Sequence, residues 1–297
     1  MKFIENLPLF LLRPLAKAVG NPSMARHILA LRYRRWTGRT IDWNHPANLQ
    51  EYILAQLMDA AADPARLELY ATLADKVAVR RYAATRAPGL RTPALLGSWR
   101  RPEEIGWESL PEKFAMKTNN GCGTNLIVRD KSAIDTAAET RRLRRWLRFP
   151  YGELSGQIHY SRIEPLIFAE ELLEPAPGTD KLPLDYKFFC FNGRPRFILY
   201  YEERKVNGHL TPNMAFDLDW QPMEVVNHPT GHTVPPPASL HEMIQAAGKL
   251  SAGLPFARVD FYDVDGHALL GEITMTPDVW TNFTPEFLVK ALGYTRP

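Results

Sequence analysis

Apolar and polar positions alternate most regularly in the stretch RVDFYDVDGHALLGEITMTP, residues 258–277. Period-two alternation puts side chains on opposite faces of a strand. The stretch therefore predicts a strand over 257–262, a tight turn on Asp263, Asp265 and Gly266, and a second strand over 268–274. Arg258 and Asp260 share one face of the first strand, and Glu272 and Thr274 share one face of the second. Where those faces coincide, two carboxylates and a hydroxyl converge beside a guanidinium. Hard oxygen ligands of this kind suit Mg²⁺, which takes one or two carboxylates and completes its shell with phosphate oxygens and water. The competing reading is a surface hairpin with solvated charges. Val259, Phe261, Leu269, Leu270 and Ile273 weigh against it, because acids flanked by a core need partners.

The first third of the chain reads as helical. Residues 3–36 form a basic helical region in which Arg26, Arg32, Arg34, Arg35 and the nearby Arg39 interleave with Leu29, Leu31, Tyr33 and Trp36. Its first reading is a solvated face, and its second is contact with an anionic membrane surface. Asn48 caps a helix over 49–59, and Asp63-Pro64 opens another. The run LADKVAVRRY, 73–82, predicts Lys76, Arg80 and Arg81 on neighbouring turns of one helix, suiting either water or anionic phosphates.

The texture changes after Arg91. A strand is expected over 92–99, then a hairpin with strands over 114–116 and 126–128 around Asn119, Asn120, Gly121, Cys122, Gly123 and Thr124. Glycines there let backbone N–H groups approach phosphate oxygens, with Lys117 at the loop's edge. A basic helix over 133–148 follows, burying Leu143, Trp146 and Leu147. The segment 163–174 is apolar up to Glu170-Glu171, and a further hairpin pairs 185–191 with 196–201 around Asn192-Gly193. Lys187 faces away from Tyr186 and Phe188, so on an interior face it needs a counter-charge such as Asp185 or a phosphate. Ser239 caps a helix over 240–253, and Thr284 caps a last one over 284–294.

Composition narrows the class. The 297 residues, 45% hydrophobic, suffice for a substantial core in one or two domains, and a net charge of +3 is too small to point to nucleic acid. Two cysteines, Cys122 and Cys190, make neither a disulfide framework nor a metal-spaced pair, which points to a reducing, cytoplasmic setting. No apolar run reaches the roughly 18 residues of a spanning helix. Pro8 and Pro14 interrupt the short run 7–12, so it reads as neither signal peptide nor anchor.

Taken in order, DKVAVRRY, LPEKFAMKTNNGCG, IFAEELL, DYKFFCFNG, FDLDW and FARVDFYDVDG followed by GEIT resemble the TupA-like ATP-grasp family of bacterial polysaccharide biosynthesis, named for a protein of teichuronopeptide synthesis. The resemblance runs from about Asp42 to the end. It implies an α+β ATP-grasp fold, in which two subdomains grip ATP, behind a helical amino-terminal region over 1–72. The ATP-grasp domain would occupy 73–297, with a lid subdomain near 111–168 and a metal-binding subdomain near 169–297. Lys76 and Lys117 would then reach phosphates under a loop from Gly121 to Gly123. Glu170, Glu171 and Leu173 would line the adenine, and Asp185 would sit toward the ribose. Lys187 would add charge near the phosphates, and Arg258 would stabilise the transferred phosphoryl group. Asp260, Glu272 and Thr274 would hold Mg²⁺, with Mn²⁺ as a substitute.

Two departures stand out. Thr274 occupies a place where many relatives have Asn, and a hydroxyl is the weaker ligand. Thr276-Pro277-Asp278-Val279-Trp280 replaces a Pro-Gly-containing loop, which bears on the acceptor site more than on the nucleotide. The implied activity is carboxylate–amine ligation through an acyl phosphate, attaching an amino acid or peptide to a uronic-acid-containing surface polysaccharide or its precursor. The alternatives are a phosphotransferase or glycan-modifying enzyme using the same site, or a nucleotide-binding scaffold of a glycan-assembly complex. Partners would be a small molecule or glycan, with peripheral contact at the inner membrane face.

Overall fold

The structure is a computed structural model that describes residues 20–173, 185–201, 214–223 and 234–278. The predicted helix over 284–294 and the predicted helical stretch before residue 20 lie outside the described residues. In chain order the helices are α1 (Pro22–Thr37), α2 (Leu49–Ala61), α3 (Pro64–Ala74), α4 (Ala78–Arg86), α5 (Thr136–Arg148), α6 (Tyr151–Ser155) and α7 (Leu240–Ser251). The strands are β1 (Leu95–Trp99), β2 (Phe114–Thr118), β3 (Asn125–Val128), β4 (Ile167–Glu171), β5 (Asp185–Phe191), β6 (Arg194–Tyr201), β7 (Met214–Phe216), β8 (Phe256–Val264) and β9 (His267–Thr274). Among the described residues no helix is long and apolar enough to cross a membrane.

Two compact units divide the chain. The first comprises Met1–Leu29, Ala60–Arg80 and Pro93–Leu173, and the second Ala30–Asp59, Arg81–Thr92 and Glu174–Pro297. An antiparallel sheet of order β1-β4-β2-β3 builds the first unit. Its inner face carries Phe114, Met116, Ile167 and Ala169, which close around Leu143 of α5. The amphipathic pattern of α5 explains that contact, since Leu143 is its one fully buried side chain while its arginines face outward.

The second unit is an antiparallel sheet of order β7-β6-β5-β8-β9. Both of its tight hairpins turn where an Asn-Gly or Asp-Gly pair permits positive φ at both positions: 50° and 73° at Asn192 and Gly193, and 55° and 76° at Asp265 and Gly266. Central strand β5 is buried along its whole length. Phe189 and Phe191 join Phe197, Leu199 and Phe256 in an aromatic core that also takes Leu49 and Ile53 of α2. By strand parity Asp185 and Lys187 lie on that same face, so the aromatic core ends where the charged residues begin.

Two local expectations are corrected. Lys76 does not continue a helix toward Arg80, because α3 ends at Ala74 and α4 begins at Ala78. Asp75 makes the break: its backbone closes α3 and its Oδ1 accepts from the N–H groups of Val77 and Ala78, at 2.8 and 3.1 Å, capping α4. Ser239 occupies the N-cap position of α7, but its side chain makes no cap bond. Its backbone, at φ −88° and ψ 12°, lacks the extended conformation that aims an N-cap oxygen at the first turn, and its hydroxyl and N–H both donate to Asp263 Oδ2, at 3.0 and 3.1 Å.

Candidate functional site

In the second unit the charged residues follow from strand register. Lys187 on β5 stands opposite Asp260 on β8, Asp260 stands opposite Glu272 on β9, and Arg258 stands opposite Thr274. The first-strand and second-strand faces expected from alternation therefore coincide. A bulge at Gly271 adjusts the β8–β9 register between Asp260 and Phe261, and a Cβ there would lie 3.0 Å from the Tyr262 ring. The bulge keeps Glu272 opposite Asp260 while Leu270 stays opposite Phe261.

Contacts within this row are dense. Lys187 Nζ donates to Asp185 Oδ2 at 2.5 Å and to Asp260 Oδ2 at 2.7 Å. Arg258 donates to both oxygens of Asp260, at 2.7 and 2.6 Å, and to Glu272 Oε1 at 2.8 Å. The Thr274 hydroxyl accepts from Arg258 at 3.0 Å and donates to Glu272 at 2.8 Å. Burial opposes the Lys187 charge, yet Asp260 and Asp185 outweigh it, and the ammonium is held above its ordinary range. Burial pushes the Asp260 carboxyl up, against the pull of Arg258 and Lys187. Asp260 is 3% exposed, whereas the Glu272 side chain is 37% exposed, so one end of the row opens to solvent.

These donors fit Mg²⁺. They are hard oxygens, two carboxylates and a hydroxyl, which matches an ion that relies on phosphate oxygens and water for the rest of its shell. Among the described residues no cluster of three or more His, Cys, Asp or Glu side chains forms a metal cage.

The first unit holds a second cluster. Lys117 Nζ on β2 donates to Glu170 Oε1 at 2.5 Å, and Arg80 of α4 reaches the other oxygen of Glu170 and the carbonyl of Pro93. Glu170 is buried and serves both cations, because β2 and β4 pair Ala115 with Glu170 and bring Lys117 alongside. Glu171, one residue on, is exposed and accepts from the Ala94 N–H at 2.8 Å. Leu173 is half-buried just beyond β4.

The glycine loop between β2 and β3 is tied at several points. Lys76 Nζ donates to the Gly121 carbonyl at 2.6 Å. Gly121 lies against Tyr151, where a Cβ would come within 3.3 Å of the ring, and Gly123 has φ of 78°. Buried Asn119 donates to Asp75 Oδ2 at 2.9 Å and to the Glu164 carbonyl at 3.1 Å, and accepts from the Leu166 N–H at 2.7 Å. The Thr118 and Thr124 hydroxyls meet across the loop's base at 2.8 Å.

The structure thus gathers Asp185, Lys187, Arg258, Asp260, Glu272 and Thr274 in one unit. It gathers Lys76 with Gly121, and Lys117 with Glu170, in the other. Asp75, Arg80 and Asn119 complete the second set. Of these, Arg80 and Asn119 figured in the sequence reading only as a helix cation and a loop residue. Asp75 went unread, although Asp is one of the residue types that signal the start of a helix.

A sequence profile described as TupA-like ATPgrasp matches residues 55–295. A search of the curated proteins finds no match. Among solved structures, the D-alanine–D-alanine ligase from Bacillus anthracis complexed with ATP is similar at 16% identity, covering 69% of this chain and 54% of that chain, with a TM-score of 0.40. Phosphoribosylamine–glycine ligase from Thermotoga maritima is similar at 16% identity, covering 77% of this chain and 57% of that chain, with a TM-score of 0.44. The chain spans little more than half the length of either protein. TM-scores this low leave the activity of this chain to be argued from its own residues.

Proposed function

This chain belongs to the TupA-like ATP-grasp family, and from that premise we propose an ATP-dependent carboxylate–amine ligase that works through an acyl phosphate. The substrate carboxylate attacks the γ-phosphorus of ATP and ADP leaves. An amine then displaces phosphate from the acyl phosphate, giving an amide and inorganic phosphate. The carboxylate is assigned to a uronic acid of a surface polysaccharide or its precursor, and the amine to an amino acid or small peptide. Family analogy alone supports that substrate class.

The observation that carries the reading is the row Lys187–Asp260–Glu272 with Arg258 beside it. It supplies both signs of charge that phosphoryl transfer requires, with the acids partly neutralised before any ligand arrives. Asp260, Glu272 and the Thr274 hydroxyl are the groups that would hold Mg²⁺, whose contribution when bound is to neutralise phosphate oxygens. Arg258 and Lys187 place positive charge where the transferred group becomes more negative. In the first unit, Lys117 and the loop fastened by Lys76 are assigned to nucleotide phosphates. Glu170, Glu171 and Leu173 are assigned to the nucleotide's adenine side, and Asp185 to its ribose.

The test is ADP release and product mass in the presence of ATP, Mg²⁺ and panels of uronic acids and amino acids. Ligation joins the two substrates with loss of water, and Asp260→Asn and Glu272→Gln each abolish it. A product that gains only a phosphate would make the enzyme a phosphotransferase instead. Unchanged turnover in both variants would end the assignment of this row.

A further inference from the structure

Three of the six large hydrophobic side chains exposed among the described residues lie on one helix: Met24, Leu31 and Trp36 of α1. Leu31 and Trp36 stand 55% and 56% exposed, which for an aliphatic and an aromatic side chain leaves more than half of each in water. Arg34, Arg35 and Arg39 are exposed beside them. Helical spacing puts Leu31, Arg34 and Arg35 on the side opposite Leu29 and Tyr33, which are buried at 0% and 1%. The outward face therefore presents Leu31 between cations, while Trp36 stands exposed at the end of the helix on the side of Leu29 and Tyr33.

Charge along this stretch of the sequence is one-sided. Residues 6–41 contain seven Lys or Arg and no Asp or Glu, although the chain as a whole carries only +3. Arg32 is paired with Asp278, but among the described residues no carboxylate stands within ion-pair distance of Arg34 or Arg35. A merely solvated helix has no need to concentrate cations and exclude acids, and none to hold Leu31 in water among them.

We propose that the carboxyl-terminal half of α1 is a docking surface for a lipid bilayer with anionic headgroups. Guanidinium groups meet the headgroup phosphates, and Leu31 enters the acyl boundary. A phosphodiester backbone would satisfy the arginines equally well but offers nothing to Leu31, which is why a bilayer is favoured over a nucleic acid. The helix would lie in the plane of the interface, and nothing in the proposal requires it to span. The proposal is independent of the ligase assignment and is tested without substrates.

The full chain is mixed with sedimentable vesicles of phosphatidylcholine alone, or with about 30% phosphatidylglycerol added, since anionic lipid is what juxtamembrane basic residues respond to. The expected result is co-sedimentation with the anionic vesicles only, released by roughly 0.5 M salt, where screening shortens the reach of each charge. Arg34→Glu/Arg35→Glu should weaken binding about tenfold or more. Leu31→Ser, an exposed change that leaves every charge in place, should weaken it about threefold or more even at low salt, an effect that charge attraction alone does not produce. Thermal melts confirm that both variants fold, and if the charge-reversed pair does not, the Leu31 variant decides. Failure of the wild type to bind anionic vesicles, equal capture by neutral ones, or unchanged binding of Leu31→Ser would each overturn the proposal. Displacement of the wild type from vesicles by polyuridylate together with unchanged vesicle binding of Leu31→Ser would assign the surface to nucleic acid.

Discussion

Lys187 and Asp260 are direct cross-strand partners on β5 and β8, with Nζ 2.7 Å from Oδ2 and both side chains buried. Removing one partner leaves the other charged in a site that water does not reach. Lys187→Met is therefore expected to cost about 3 kcal/mol of stability, the low end for a broken buried pair, since Arg258 still neutralises Asp260. The double variant Lys187→Met/Asp260→Asn should lose less than the sum of the single losses by about 1 kcal/mol or more. Urea unfolding of the four proteins measures the difference, and additivity would mean that the two charges do not act as a pair.

Glu170 and Glu171 are adjacent in sequence but opposite in expected consequence. Glu170→Gln removes the shared partner of Lys117 and Arg80 from a buried position, leaving two cations close together. A loss of about 2–3 kcal/mol is expected. Glu171→Gln keeps an oxygen that can still accept from the Ala94 N–H at an exposed site, so its effect should stay within about 0.5 kcal/mol. Chemical unfolding of the two variants distinguishes them, and equal losses would refute the role given to Glu170 as the anchor of both cations.

Lys76 fastens the loop through one bond to the Gly121 carbonyl. Lys76→Met keeps the aliphatic stem and loses the charged donor, a contact worth about 1.5–3 kcal/mol. If the loop binds nucleotide, Mg²⁺·ATP should bind about tenfold more weakly by calorimetric titration. A variant that binds ATP as the wild type does would separate Lys76 from the nucleotide.

The parts of this molecule that could be read from sequence are those written in short-range terms. Both glycine hairpins were readable because Asn192-Gly193 and Asp265-Gly266 admit a backbone conformation that few other pairs do, and alternation then fixes which side chains share a face. Arg258, Asp260, Glu272 and Thr274 were brought together on that ground alone. Glu170 was not readable in the same way: its partner Arg80 lies 90 residues earlier, and nothing local in IFAEELL signals it. The break at Asp75 was hidden because LADKVAVRRY contains neither glycine nor proline, and the capping carboxylate wins over a run of good helix formers. The bulge at Gly271 had a signal that went unread, a lone glycine inside a strand pattern, which suggests a bulge or a close backbone approach.

His159 lies outside every motif, and the structure buries it completely between Tyr70 and Tyr160. Among the described residues neither ring nitrogen has a hydrogen-bond partner. Burial alone pushes its pKa down to about 3, so the ring is neutral in the fold at any moderate pH. The unfolded chain takes up a proton below about pH 6.5 while the folded chain does not, and so the unfolded state binds more protons across that window. Stability must therefore fall as pH drops from about 6.5 toward 3, by up to about 1.4 kcal/mol per pH unit from this residue. His159→Phe fills much the same space without a titrating group or desolvated nitrogens. Its stability at neutral pH should be unchanged or higher by about 1 kcal/mol, because no buried polar atom is left unpaired. Between about pH 6.5 and 4.5 its urea midpoint should fall less steeply than that of the wild type. Parallel slopes for the two proteins would show that His159 gains a partner or water that the packed ring leaves no sign of.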